Sequence, residues 1–320
     1  MKNIIFAVCV FACAALHSYA DITVSDVKVF SGYPWKEVVV GYTITGTAVE
    51  TDIIKLTATD KSANKTYTAQ SLTDAVLTKG RHVLRWNAAA EGAKFSSANV
   101  VFSVSVVDPG GVQLWANGPY WAECNVGATK PEEYGYYFWW GDTVGYKDFK
   151  DSIYGWTLGW VSVSDGRSFS FKSGNCPTYG MSKSQLQTAG YIDAAGNLVA
   201  AHDAATAHLG APWRMPTDAE FSALISNCTT TWTTRNGVSG RLVSGKGEYA
   251  SRSIFFPAAG YIEGDELKYL GTFGKYWSSL PSSDRSDCAG LLDISSSGCG
   301  TASSFRWAGR SVRPVRRLAK

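Results

Sequence analysis

The sequence predicts an all-β immunoglobulin-like sandwich followed by an α+β unit with short helices. Three observations carry this expectation. The chain has 320 residues, more than one ordinary domain uses. Apolar residues make up 45% and charged residues 18%, which supports packed cores and excludes wholesale disorder. Composition also changes along the chain: residues 21–107 contain five Gly and two Trp, whereas 108–320 contain 27 Gly and ten Trp. The change falls at Asp108-Pro109-Gly110-Gly111, a turn-former cluster suited to a linker. The expected organisation is therefore a leader over 1–20, a β-sandwich over 21–107, a linker over 108–111 and a second unit over 112–320.

The leader has Lys2, an apolar run from Ile4 to Leu16, and Ser18-Tyr19-Ala20 ahead of Asp21. This is the form of a secretory signal peptide cleaved after Ala20. A lipoprotein cut before Cys13 is the minor option, because Phe11 is bulky for that recognition sequence and the apolar run would be short. The expected location is extracytoplasmic: secreted, periplasmic or at the cell surface. No other apolar run approaches membrane length. The formal net charge is +3, and loss of Lys2 leaves +2. That balance argues against nucleic acid or an acidic membrane as a partner held by bulk charge. Cys124, Cys176, Cys228, Cys288 and Cys299 remain after cleavage, an odd number, so at least one thiol is unpaired within the chain.

In the first unit, Ile22 to Phe30 and Ile53 to Thr59 alternate apolar with polar residues. Glu37 to Thr45, His82 to Trp86 and Val100 to Val107 complete a set of short strands separated by turn-rich segments. Several β runs over roughly ninety residues give the expectation of an immunoglobulin-type sandwich. No Cys lies in 21–107, so the inter-sheet disulfide of antibody domains is absent. Trp35 and Trp86 read as core anchors.

In the second unit, Ala204 to Leu209 reads as a short helix stopped by Gly210. Thr217-Asp218-Ala219-Glu220 is a capping box, and Phe221, Leu224 and Ile225 fall on one helical face after it. Asn236-Gly237 between Thr229–Thr234 and Ser239–Val243 is a hairpin signal. Leu291 to Ile294 and the stretch before Arg306 form another hairpin around Ser295-Ser296-Ser297-Gly298, which pairs residue 288 near 305.

The second unit also carries an ordered series of words. They are Trp121-Ala122-Glu123-Cys124-Asn125-Val126-Gly127-Ala128, Tyr136-Tyr137-Phe138-Trp139-Trp140-Gly141-Asp142, Pro212-Trp213-Arg214-Met215-Pro216-Thr217-Asp218-Ala219-Glu220-Phe221, Phe256-Pro257-Ala258-Ala259-Gly260-Tyr261, Gly274-Lys275-Tyr276-Trp277-Ser278-Ser279 and Arg306-Trp307-Ala308-Gly309-Arg310-Ser311-Val312-Arg313-Pro314. This series resembles the "major paralogous" domain family of Fibrobacter- and Bacteroides-type bacteria, over about residues 112 to 317. The resemblance implies a secreted protein and a C-type-lectin-like fold, distantly similar to formylglycine-generating enzymes. It makes Trp213, Arg214, Thr217, Glu220, Trp277 and Arg313 structural motif residues. The first unit loosely resembles amino-terminal β-domains of secreted bacterial proteins, which implies a spacer or docking role.

His202 and His208 are six apart, so one helix cannot aim both at one ion. No Cys-x-x-Cys occurs, and no carboxylate pair is singled out by spacing. Formylglycine-generating enzymes need a late cysteine pair for copper, but Cys288 and Cys299 lie eleven residues apart on two arms of the expected hairpin. The Ca²⁺ and sugar words of true C-type lectins are absent. Arg306, Arg310, Arg313, Arg316 and Arg317 alternate with Val312, Pro314 and Val315, as in a half-buried closing strand with arginine stems over apolar surface.

The functional expectation is a binding or adhesion module for an extracellular polysaccharide or surface protein, not an enzyme and without a cofactor. An oxidase of the formylglycine-generating type and a ligand-free envelope protein are the alternatives. The expected ligand loops are 141–181 and 262–287, with Tyr154, Trp156, Trp160, Tyr179, Tyr269, Asp284 and Arg285 as contact residues.

Overall fold

The computed structural model describes residues 22–48, 52–107, 110–150 and 157–316. The expected leader and cleavage position, Cys13, Tyr154, Trp156 and Arg317 lie outside the described residues.

The first unit has six strands: β1 (Thr23–Val29), β2 (Val38–Thr45), β3 (Ile53–Asp60), β4 (Lys65–Thr68), β5 (Gly80–Trp86) and β6 (Val100–Val107). They make two three-stranded antiparallel sheets, ordered β1-β2-β5 and β4-β3-β6. Alternation explains the burial: Val38, Val40, Tyr42 and Ile44 of β2 point to one side and are buried. They meet Leu56 and Ala58 of β3, Leu84 and Trp86 of β5, and Val104 of β6 in one shared core. Strand β4 lies outside the strands the sequence predicts. Its four residues are polar apart from Tyr67, and they pair with β3 after a turn that Asp60 caps by accepting from the Ser62 and Ala63 amides.

The second unit is β-rich too, with short strands in small sheets. Strands β7 (Val112–Gln113) and β8 (Tyr120–Trp121) open it, followed by β9 (Tyr146–Lys150) and β10 (Thr157–Ser162). Helices α1 (Lys183–Thr188), α2 (Ala204–Leu209) and α3 (Asp218–Asn227) come next. Then follow β11 (Thr229–Arg235), β12 (Val238–Ser244), β13 (Ser253–Pro257), β14 (Tyr261–Glu263), β15 (Glu266–Lys268), β16 (Phe273–Pro281), β17 (Cys288–Ser295), β18 (Gly298–Phe305) and β19 (Val315–Arg316). The last strand pairs with β8, so the two ends of the unit close on each other.

Local signals operate as expected. Asn236 (φ 46°) and Gly237 (φ 83°) turn β11 into β12 with two left-handed residues, the geometry a two-residue hairpin needs. Gly210 stops α2 at φ 79°. Thr217 and Glu220 form the reciprocal capping box of α3. That helix buries Phe221 and Leu224 in a core with Trp121, Phe256 and Tyr276. Cys288 pairs with Phe305 across β17 and β18.

Two expectations need correction. The segments 141–181 and 262–287 are not simply long loops: the first contains the β9–β10 hairpin, and the second contains β14–β15 and all of β16. The carboxy-terminal arginines are not a half-buried strand with exposed heads. Among the described residues after Phe305, only Val315 and Arg316 are strand, and Arg306, Arg310, Arg313 and Arg316 are each at most 1% exposed.

Candidate functional site: an aromatic and charged surface on buried arginines

A buried guanidinium must find acceptors for its donors or lose the solvation of its charge. Arg313 donates to Asn125 Oδ1 (2.9 Å) and to the carbonyls of Ala122, Glu123 and Phe255 (3.0, 2.6 and 2.8 Å). Its guanidinium lies 4.7 Å from the Phe256 ring centre. Arg316 donates to the Gly110 carbonyl and lies 4.4 Å from the Tyr120 ring. Burial lowers the pKa of Arg310 to about 10; it sits between Tyr261 (4.6 Å) and Trp277 (5.3 Å) and bonds Ser304. These residues use the planar fork and the flat cation together.

Arg306 builds the surface of interest. It lies 5.0 Å from the Trp140 ring. Its Nε donates to the Cys288 carbonyl (2.9 Å), and its Nη1 donates to the carbonyls of Thr178 and Met181 (both 2.9 Å). The side chain thereby ties the start of β17 to the 178–181 turn. Its neighbours Phe305 and Trp307 are only partly buried, and their rings stack at 5.6 Å and 18°. Arg285 adds a third layer, 5.0 Å from the Phe305 ring centre. Asp287 holds that guanidinium with bonds from Nε (2.9 Å) and Nη2 (2.7 Å). The pair raises the Arg285 pKa and lowers that of Asp287. Tyr179, 38% exposed, stands on the turn whose carbonyls Arg306 holds.

The structure thus brings together Tyr179 and Arg285 from the sequence prediction and adds Phe305 and Trp307. Asp284 is exposed on the same 282–288 segment and accepts from Ser283 Oγ (2.7 Å). Tyr269 belongs to a separate surface: 56% exposed, with φ at 57°, it stacks on Tyr261 at 5.6 Å and meets Phe273 edge-on at 5.4 Å. Trp160 must be withdrawn as a contact residue. It is 5% exposed, packs against Tyr137 and Phe171, and donates from Nε1 to the Asp265 carbonyl (3.1 Å). Phe305 and Trp307 flank Arg306 at the end of a strand, and only their alternation with a buried residue could have singled them out.

Other features serve the scaffold. A cleft of about 560 Å³ is lined by Asp203, Trp213, Arg214 and Glu220 among others, but these groups are engaged. Asp203 accepts from the amides of Thr206 (3.0 Å) and Met215 (2.8 Å), and Arg214 makes two bonds to Glu220. Trp277 is buried and donates to the Phe138 carbonyl (2.8 Å). The five cysteines are free thiols. Cys288 pairs with Phe305 and Cys299 with Ile294, so the two stand six residues apart along the hairpin, roughly 20 Å at strand rise. Burial pushes the thiols of Cys228 and Cys288 up to about 11, away from the reactive thiolate. Among the described residues, no group of three or more His, Cys, Asp and Glu could hold a metal ion, and no described helix is long and apolar enough to cross a membrane. No family model, curated protein or solved structure matches the chain.

Proposed function

We propose that the protein is an extracytoplasmic binding or adhesion module whose second unit recognises an extracellular polysaccharide through Tyr179, Arg285, Phe305 and Trp307. The observation that carries this is the three-layer stack of Arg285, Phe305 and Trp307, built on the buried Arg306. The outer face of Trp307 suits the C–H face of a sugar ring, and the Asp287-held guanidinium supplies directed donors at the rim. Rigid aromatics give contact area at little entropic cost.

In this reading the first unit is an immunoglobulin-type spacer, which its two sheets around one core support. The second is a C-type-lectin-like unit, which the pairing of β8 with β19 supports by joining its ends. The distance between Cys288 and Cys299 weighs against a copper oxidase. The signal-like leader and +2 charge after its loss favour a location outside the cytoplasm and a partner other than nucleic acid.

Affinity capture on plant and bacterial cell-wall polysaccharides tests the reading, with Trp307→Ala as the matched variant. Capture only by surface proteins would replace the ligand class. No capture at all would favour a ligand-free envelope role.

A further inference from the structure

A second site stands apart from the Arg285 surface. A cleft of about 590 Å³ opens where the carboxy-terminal end of α3 meets the turn at 246–249 and the loop after β7. Its walls include Trp115, Asn227, Lys246, Glu248 and Tyr249. The volume lies in the range of small-ligand sites, roughly 300–1,000 Å³.

Both rings are backed from behind. Gly118 packs so closely on Trp115 that a Cβ there would come within 2.5 Å of the indole. The Arg252 guanidinium lies 4.7 Å from the Tyr249 ring centre. Gln113 joins the two supports: its Nε2 donates to the Gly118 carbonyl (3.0 Å), and its own carbonyl accepts from Arg252 (3.3 Å). Gly245 lets the turn approach Leu114, since a Cβ would stand 2.6 Å from the Leu114 carbonyl oxygen.

The polar inventory is divided. Lys246 Nζ is engaged by the Ser226 carbonyl (3.1 Å), and Asn227 Nδ2 by the Ala223 carbonyl (2.9 Å). Among the described residues, the Glu248 carboxylate, the Tyr249 hydroxyl and Trp115 Nε1 have no hydrogen-bond partner. The cleft therefore offers two fixed aromatic rings, one free carboxylate, one free hydroxyl and one free N–H donor. That is the complement of a sugar ring, which presents C–H faces and a rim of hydroxyls that both donate and accept. The charged side chains in its lining, Lys246 and Glu248, are of opposite sign, so no single-sign wall selects a charged sugar.

We propose that this cleft binds a neutral pyranose unit of an oligosaccharide. It does not depend on the Arg285 surface. Cys299 Sγ donates to Thr230 Oγ1, which places the strand following α3 at the Gly298 end of β18, whereas Phe305 lies at the opposite end.

Calorimetric titration of the purified protein with cellohexaose, xylohexaose and mannohexaose tests the proposal. At least one should bind. Trp115→Ala and Tyr249→Ala should each weaken it by about tenfold or more, and Trp115→Phe should retain most of the affinity. Glu248→Gln should weaken it several-fold with an unchanged melting temperature, because Glu248 is exposed. Trp307→Ala should leave this binding intact. Failure of all three hexasaccharides to bind would overturn the proposal, as would affinity indifferent to both Glu248→Gln and Trp115→Ala. Binding lost with Trp307→Ala alone would overturn the cleft while supporting the Arg285 surface.

Discussion

Arg313 and Asn125 stand 188 residues apart in the chain, yet Nε of the first donates to Oδ1 of the second at 2.9 Å. Asn125 is oriented in turn, because its Nδ2 donates to the Tyr134 carbonyl (2.9 Å). Both side chains are buried. This contact and the pairing of β8 with β19 fasten the end of the second unit to its beginning.

Arg313→Met should therefore destabilise the second unit by about 3–5 kcal/mol, because it strands three backbone carbonyls and Asn125 without donors. Arg313→Lys should recover only part of the loss, since an ammonium lacks the planar fork. Denaturant unfolding measures both. A loss below about 1 kcal/mol for Arg313→Met would show that the buried network is not what closes the unit.

The cap of α3 is more connected than a capping box alone. Glu220 accepts from the Thr217 amide (2.9 Å) and from both terminal nitrogens of Arg214 (2.8 and 2.6 Å). Thr217→Ala should cost about 1 kcal/mol. Glu220→Ala should cost more, about 3 kcal/mol, because Arg214 loses its carboxylate. The double variant should fall short of the sum, and strict additivity would contradict the reciprocal cap.

Legibility followed range. The β run of Glu37–Thr45, the alternation of Ile53–Thr59, the Asn236-Gly237 turn and the Thr217–Glu220 box are local, and each has its counterpart in the structure. The buried arginines depart from the expected surface placement, because charge ordinarily stays at the surface. Their acceptors come from distant segments, Thr178 for Arg306 and Phe255 for Arg313, which no local pattern connects. Trp160 sits in a Gly- and Ser-rich stretch that looks like loop, but its acceptor is Asp265, 105 residues away. Trp115 and Tyr249 likewise meet at one cleft only through folding.

Trp160→Ala should behave as a core lesion. It removes a buried indole from a cluster with Tyr137, Tyr146 and Phe171, at a cost of about 3–5 kcal/mol. Thermal melting should drop clearly. An unchanged melting temperature would return Trp160 to the surface.

The pH response should bear the mark of Asp203. Burial lifts its carboxyl to about 6, from an ordinary value of about 3.9, although amides of Met215 and Thr206 oppose the shift. A raised carboxyl stabilises the fold while protonated. That contribution is full below about pH 4 and is lost as pH rises through about 6. Asp142, also buried and lifted to about 6, has the same sign. Asp203→Asn should lower stability at every pH by losing an acceptor, but it should flatten the decline between about pH 4 and 7. An unchanged slope would contradict the assignment.

The most direct test of the binding account is paired capture and melting for Trp307→Ala and Arg285→Ala. Trp307 is partly buried and Arg285 exposed, and neither anchors the core. The account predicts that cell-wall polysaccharide retains the unaltered protein. Each variant should lose about tenfold or more of that retention, while its melting temperature stays within about 2 °C. Retention that survives both substitutions, or its absence from every polysaccharide tried, would contradict the account.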